Sequence, residues 1–143
     1  MMTELRQEQI EQIMPTLVRY WLADGQIVVF EAVGANRDTV DAWFDVTTET
    51  HQAWSYDEPH YEIHDMRQST MTPYARAKAL ELGDLYVDMV GRSAIIVQDS
   101  HIGSFMTFFV NRVLNRLSKT CERRVFKDFD EGLAWIREGI QSS

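Results

Sequence analysis

Residue types that could do chemistry are concentrated near the middle of the chain. His60, Glu62 and His64 alternate along a segment that has the pattern of a strand, so their side chains are expected to share one face. Three such nitrogen and oxygen ligands could hold zinc. Residues on one strand rarely surround a metal unaided, and no Cys/His spacing motif accompanies them, although His51 or His101 could approach. The sequence therefore predicts no metal site and no cofactor.

Three hydroxyl side chains follow this strand, where a helix is expected to begin. Thr72 is a good N-cap, and Pro73 suits the first helical position, where no hydrogen bond is lost. A phosphate on Ser69, Thr70 or Thr72 would be stabilised by the helix dipole and by free N–H groups. These three residues are candidate phosphorylation switches. The alternative is that Thr72 only caps the helix, which needs the same residue type.

An aromatic flank marks the third helix, which is expected to begin after Ser100. At about 100° per residue, its apolar residues form a broad core stripe, made up of Ile102, Met106, Phe109, Val110, Val113, Leu114 and Leu117. Phe105 and Phe108 lie beside that stripe, near Arg112. Either a neighbouring helix covers both rings, or they form a partner surface or a wall of an apolar pocket. We take Phe105, Phe108 and Arg112, together with Asp65, as a candidate partner or ligand surface.

Catalytic motifs are missing from the sequence. There is no glycine-rich nucleotide cradle and no Gly-x-Ser-x-Gly elbow. Asp65 and Asp99 end neighbouring strands and could form an acid–base pair, which is a weak indication in a chain rich in carboxylates. Cys121 has arginines nearby but no evident base. The sequence predicts a protein that is not an enzyme, with no catalytic residue.

Composition restricts the class of protein. Of 143 residues, 45% are hydrophobic, which is typical of a globular chain with one core. The net charge of -8 argues against nucleic acid as a partner, since a phosphate backbone needs a basic surface. A single cysteine, a polar N-terminus and the lack of any run of about 18 apolar residues predict a cytoplasmic protein with no membrane span.

The hydrophobic pattern alternates between strands and helices. Residues 1–15 are expected to be an N-terminal arm or a short helix, and Asp24-Gly25 predicts a hairpin turn. The helix over 37–54 has a stripe that includes Trp43 and His51. The later segments are expected to be a strand at 61–67, a helix from 73 to about 86, a strand at 93–98, a helix at 100–117, a strand at 123–127 and a helix at 129–141. This order predicts one α/β domain over 1–143, with a mostly parallel sheet of about five strands covered by helices.

The element order β-β-α-β-α-β-α-β-α over about 16–141 resembles the STAS domain (sulfate transporter and anti-sigma factor antagonist). It is most similar to the small free-standing bacterial STAS-like proteins, which are grouped by fold with the CRAL-TRIO lipid carriers. The stretches that carry the resemblance are the strand that ends at Asp65, the helix start Thr72-Pro73, Gly91-Arg92 before an apolar strand, and the closing Phe126-Lys-Asp-Phe-Asp-Glu-Gly-Leu-Ala-Trp135.

In anti-sigma factor antagonists, an Asp-Ser-Ser-Gly-like signature places a phosphorylatable serine at the matching helix start. Here that region reads Gln68-Ser-Thr-Met-Thr-Pro73, and the signature is absent. The resemblance implies a non-enzymatic, cytoplasmic regulatory or protein-interaction module that binds a protein partner or itself, with a homodimer as the expected form. The alternative is a carrier or sensor of a small apolar or lipid-like ligand, which the carrier-like fold and the many aromatic and methionine residues favour.

Overall fold

The computed structural model describes residues 10–54, 57–117 and 120–142. In this part of the chain, four α-helices pack on a six-stranded sheet whose strands lie in sequence order. The strands are β1 (Glu11–Met14), β2 (Leu17–Leu22), β3 (Ile27–Val33), β4 (His60–Gln68), β5 (Gly91–Ile96) and β6 (Cys121–Phe126). The helices are α1 (Arg37–Ala53), α2 (Pro73–Leu85), α3 (His101–Arg112) and α4 (Phe129–Ser142). The fold is α/β with a mostly parallel sheet and helices packed on it, as the sequence predicts.

The first three strands are antiparallel, and the sheet has six strands because residues 11–14 add one. The expected N-terminal helix is wrong for these residues. They pair with β2, with Glu11 opposite Arg19, and the two side chains form an ion pair of 2.6 Å. A helix of only a few residues is barely stable alone, whereas pairing with β2 gives the main chain of Glu11–Met14 its hydrogen-bond partners. Residues 1–9 of the predicted arm lie outside the described residues.

The β2–β3 hairpin is present, but its turn is longer than the Asp24-Gly25 pair predicts. Leu22 pairs with Ile27, which leaves a loop of four residues. Ala23, Asp24 and Gly25 all have positive φ values, of 53°, 55° and 86°. A two-residue type I′ turn needs only two such residues. The connection is therefore a four-residue loop with three left-handed residues and not a two-residue type I′ turn.

The last four strands run parallel, so each connection between them crosses over the sheet. Strands that follow in order through right-handed crossovers place their helices on the same face, and α1, α2 and α3 share one side. On the other side α4 covers the sheet, where Ile63 and Ile96 pack with Leu133 and Ile136. Helices therefore cover both faces of β4 and β5, which confirms the prediction of a sheet covered by helices.

Helix starts are set by side chains that accept main-chain hydrogen bonds. Thr72 Oγ1 accepts from the N–H of Ala75 at 3.1 Å, as predicted, and Ser100 Oγ caps α3 in the same way. The cap of α1 is Asn36, which accepts from the N–H of Thr39 at 2.8 Å. No described helix is both long enough and apolar enough to cross a lipid bilayer.

The third helix is shorter than its pattern predicts. It ends at Arg112, and a 3₁₀ turn, Leu114–Arg116, follows it. Ile102, expected in the core stripe, is 41% exposed. The reason is that Gly103 faces inward: a Cβ there would lie 1.7 Å from the carbonyl oxygen of Gln98. The residue before it therefore turns away from the sheet.

Candidate functional site

A cluster of polar side chains lies buried between the sheet and the three helices on one face. We call it the Glu62 cluster; its members are His51, His60, Glu62, His64 and Ser93. Oε1 of Glu62 lies 2.7 Å from Nε2 of His51 and 2.9 Å from Nε2 of His60. Oε2 lies 2.5 Å from Nε2 of His64 and accepts from the hydroxyl of Ser93 at 3.0 Å. One carboxylate thus joins residues from three separate elements.

The period of a strand explains why these residues meet. Alternate residues of β4 point to opposite faces, so that His60, Glu62 and His64 share the face under α1. Ser93 joins them because Glu62 pairs with it in the parallel register of β4 and β5. His51 comes from the last turn of α1, where its ring lies edge-on to that of His60 with centroids 4.3 Å apart.

The start of β5 lies unusually close to this cluster. Gly91 has a φ of 139°, and a Cβ at this position would lie 1.8 Å from the carbonyl oxygen of His60. Only glycine adopts this conformation at low cost and leaves room for the neighbouring main chain. Gly91 therefore allows β5 to pair with the first residue of β4, which sets the position of His60.

A hydrogen bond from Trp43 determines the proton position on His64. The indole N–H of Trp43, which can only donate, lies 3.0 Å from Nδ1 of His64. Nδ1 must therefore accept, and in the neutral ring the proton is on Nε2, which donates to Oε2 of Glu62. The ring of His64 also stacks on Phe30, with centroids 5.1 Å apart. His64 is thus held from two sides.

Burial and charge act in opposite directions on the ionisation of the Glu62 cluster. Burial by itself raises the pKa of the Glu62 carboxyl, but the charges of His64 and His51 and the hydrogen bond from His51 hold that pKa well below its usual range. For His60, burial is the largest effect and lowers the pKa of the imidazole. Glu62 is therefore an anion and His60 a neutral ring at neutral pH.

Next to the Glu62 cluster is an apolar cavity of about 120 Å³. Glu62 and His64 contribute to its wall, while most of the remaining wall is made of apolar side chains, including Met66, Met71, Met89 and Met106. Ala75 and Ala79 line it from α2. Small side chains on this helix leave the space open.

The three hydroxyl residues at the start of α2 differ in their surroundings. Ser69 is buried, and its hydroxyl donates to the carbonyl oxygen of Gly34 at 2.8 Å. Thr72 is the N-cap of α2. Thr70 is exposed. The structure therefore gives Ser69 and Thr72 structural hydrogen bonds, and phosphorylation of Ser69, Thr70 or Thr72 stays a prediction.

Asp65 does not reach the other candidate residues of β4. It faces α4, on the side of the sheet opposite His64, and it is buried. Its carboxylate accepts two hydrogen bonds from the guanidinium of Arg67, at 2.9 and 2.7 Å. Hydrogen bonding to Asp65 is also the main reason why the pKa of Arg67 is raised. A buried carboxylate paired with Arg67 is poorly placed for a partner surface, and Asp99 is paired with Lys127 instead of Asp65.

The aromatic flank of α3 is exposed. Phe105 and Phe108 are 43% and 59% exposed, whereas Met106, Phe109 and Val110 of the same helix are buried. The guanidinium carbons of two exposed or half-exposed arginines approach the rings: Arg76 lies 5.9 Å from the centre of Phe105, and Arg112 lies 5.8 Å from that of Phe108. Within the described parts of the chain, no helix covers either ring, in contrast to one of the two alternatives that the sequence leaves open.

Cys121 is buried and free of any disulfide. Burial raises the pKa of its thiol to about 12. A thiolate is therefore rare at neutral pH, and Cys121 lacks the reactivity of a catalytic cysteine.

Three of the five members of the Glu62 cluster are predictable from the sequence pattern. The strand period places His60, Glu62 and His64 on one face, whereas His51 is expected only as a residue that could approach. The approach of His51 is also predictable from the sequence. His51 and Trp43 share the inward stripe of α1, and the strand that this helix covers, β4, is a central one. A polar face on a central, covered strand predicts a buried polar cluster with partners from the covering helix.

Comparison with known proteins identifies the fold but indicates no activity. No protein-family model matches the chain, and no curated protein matches it. Among solved structures, an uncharacterised protein of the DUF3478 family with a SpoIIAA-like fold, from Shewanella loihica PV-4, superposes with a TM-score of 0.59 at 20% identity. The match covers 84% of this chain and 91% of the other. The chain thus has the SpoIIAA-like form of the STAS-like fold.

Proposed function

We propose that this protein is a non-enzymatic STAS-type interaction module of the cytoplasm whose contact surface is the outer face of α3. The observation that carries the proposal is the exposure of Phe105 and Phe108, at 43% and 59%, on a helix whose other side is buried. Two large aromatic rings on a rigid helix offer apolar area at little conformational cost. Exposed apolar patches of this kind commonly mark protein contacts.

The residue types of this surface are those that contribute most to binding. Aromatic residues and arginine are enriched at the centres of interfaces, and here Arg76 and Arg112 flank Phe105 and Phe108. The expected partner presents an apolar centre that packs against the two rings. A second copy of this chain is the first partner to test, because symmetric dimers are the commonest oligomers and such a dimer would bring the same rings of both copies together.

The hydrogen bonds and the burial of the potentially nucleophilic side chains support a role without catalysis. The hydroxyl of Ser93 donates to Glu62, that of Ser69 donates to a main-chain carbonyl, and burial keeps Cys121 protonated. A nucleophile needs a base that removes its proton. The carbonyl oxygen that Ser69 contacts is not such a base, and Glu62, whose pKa lies well below its usual range, is a weak base for Ser93.

Light scattering across a concentration series tests the proposal. We expect the mass of the unaltered protein to approach that of a dimer, and the variant with Phe105→Ala and Phe108→Ala to stay monomeric. Leu85→Ala is the matched control, because Leu85 is 57% exposed on a different helix. A monomer at every concentration for all three proteins would contradict self-association, and a dimer in the double variant would exclude α3 as the contact surface.

The cavity favours a second candidate function, the sensing of a small ligand. Its volume of about 120 Å³ is below the roughly 300 Å³ at which drug-sized ligand sites begin. A lipid chain does not fit, so the ligand would be a small apolar molecule with one polar group near Glu62. Native mass spectrometry would detect such a ligand. Ala79→Leu fills the cavity and is expected to abolish binding, whereas Ala77→Leu, at an exposed position of the same helix, is not.

A further inference from the structure

Three potential metal ligands converge within the Glu62 cluster. His51, His60 and Glu62 each offer one ligand atom, and these atoms all lie within 4.8 Å of one another. Their side chains are 4%, 4% and 5% exposed. They do not belong to one strand alone, because His51 comes from α1. His51 therefore supplies a third ligand that does not come from β4, and residues of one strand rarely surround a metal unaided.

Two of the histidine nitrogens have no hydrogen bond to any described residue. They are Nδ1 of His51 and Nε2 of His60, and both are buried. Nε2 of His60 has Oε1 of Glu62 as its ion-pair partner at 2.9 Å. Buried polar atoms nearly always have a partner, so an unsatisfied pair in one cluster needs an explanation. A cation next to Oε1 of Glu62 that accepts the lone pair of Nε2 of His60 would provide it for that nitrogen.

The other members of the cluster hold the carboxylate in place. His64 is not a ligand, because Trp43 donates to its Nδ1 and thereby leaves the proton on Nε2. That proton and the hydroxyl of Ser93 both bind Oε2 of Glu62. Oε1 is left on the side of His51 and His60. Metal-binding carboxylates are typically oriented by such hydrogen bonds from neighbouring residues.

The charge of the cluster also favours a cation. A buried carboxylate is costly unless a positive charge or several hydrogen bonds compensate it. Within the described part of the chain, the ion-pair partners of Glu62 are three histidines, and no lysine or arginine nitrogen lies within 4.0 Å of it. A divalent cation would supply the positive charge without requiring protonation of any ring.

We propose that His51, His60 and Glu62 bind a divalent cation of the zinc type. Two imidazoles and one carboxylate form a known ligand set for Zn²⁺, with a further coordination position left for water or a small ligand. His51 and Glu62 line the apolar cavity, so this position is accessible from it. His64 and Ser93 act as positioning residues, since each binds the carboxylate oxygen that faces away from the cation.

A zinc titration of untagged, EDTA-treated protein tests the site. With a chromophoric chelator as competitor, we expect the unaltered protein to bind one equivalent of Zn²⁺. Loss of an orienting partner typically lowers metal affinity about 10- to 100-fold. We expect His64→Gln to fall in that range, and His60→Gln and Glu62→Gln to lose at least as much. His101→Gln is the control, because His101 is exposed on α3 and should leave the affinity unchanged.

Cobalt spectroscopy adds a measurement that does not depend on the variants. One equivalent of Co²⁺ in the unaltered protein should give the visible absorption bands of a nitrogen- and oxygen-ligated ion at low coordination number. The proposal is overturned if the unaltered protein binds no equivalent of either metal. It is also overturned if folded His60→Gln, checked by circular dichroism, binds Zn²⁺ as tightly as the unaltered protein, or if His101→Gln abolishes binding.

Discussion

At the scale of single residues, Glu62 connects the sheet to its covering helix. Its carboxylate contacts His64 within β4, Ser93 on β5 and His51 on α1. Local patterns foresee the first of these contacts, because a two-residue period fixes which residues of a strand share a face. The contacts to Ser93 and His51 depend on strand register and helix placement, which no local pattern encodes.

Replacing the carboxylate should destabilise the protein strongly. Glu62→Gln leaves the buried donors of His51, His64 and Ser93 facing an amide, and breaking a buried charged network typically costs about 3–5 kcal/mol. Urea unfolding would measure the loss of the free energy of unfolding. Glu49→Gln is the control, since Glu49 is 70% exposed, and we expect a change within about 0.5 kcal/mol there. If both variants lost an equally small amount of the free energy of unfolding, the contacts of the Glu62 carboxylate would contribute little to stability.

Acid should destabilise the metal-free protein in two stages. The pKa of His60 is lowered from 6.5 in the folded state, so below about pH 6.5 the unfolded chain binds a proton that the folded chain does not. The pKa of Glu62 is lowered from 4.5, so a second loss begins below about pH 4.5. Both shifts make stability rise with pH. Melting temperatures in EDTA from pH 7.5 to 4 would show this dependence.

His60→Gln is the matched variant for the first stage. It removes the titrating ring, so the loss between pH 7 and 5 should shrink while the later loss remains. A melting temperature that is flat across this range in the unaltered protein would contradict the lowered pKa of His60.

At the scale of elements, helix starts were the most predictable features. Thr72 and Ser100 cap α2 and α3 as their residue types indicate. The end of α3 was not predictable, because apolar residues continue beyond Arg112 with helical spacing while the chain changes to a 3₁₀ turn. The strand β1 was missed for a similar reason: pairing with β2 is a tertiary effect that overrides a weak local preference.

Thr72→Ala should weaken α2 by about 1 kcal/mol, the usual cost of losing an N-cap hydrogen bond. The bond at risk is the one that its hydroxyl accepts from the N–H of Ala75. Thr72→Ser keeps the acceptor and should restore most of the stability. Chemical unfolding of the three proteins would measure this, and equal stability for the alanine and serine variants would show that the cap contributes nothing.

At the scale of the whole molecule, the alternation of strands and helices predicts the parallel sheet and its covered central strands. It does not predict the cavity, which arises because the alanines of α2 leave space above the sheet. Nor does it decide whether the rings on α3 are covered, since that depends on which helix lies next to them. In the folded chain, the way α2 and α3 pack leaves Phe105 and Phe108 exposed on one surface.

The contact role of that surface is the central claim, and amide NMR spectra recorded over a dilution series test it most directly. We expect resonances around Ile102, Phe105 and Phe108 to shift with protein concentration, while those of α4 stay constant. The variant with Phe105→Ala and Phe108→Ala should show no such shifts and keep the rest of its spectrum. Shifts confined to α4 or to β1, or spectra that do not change at any concentration, would contradict self-association through α3.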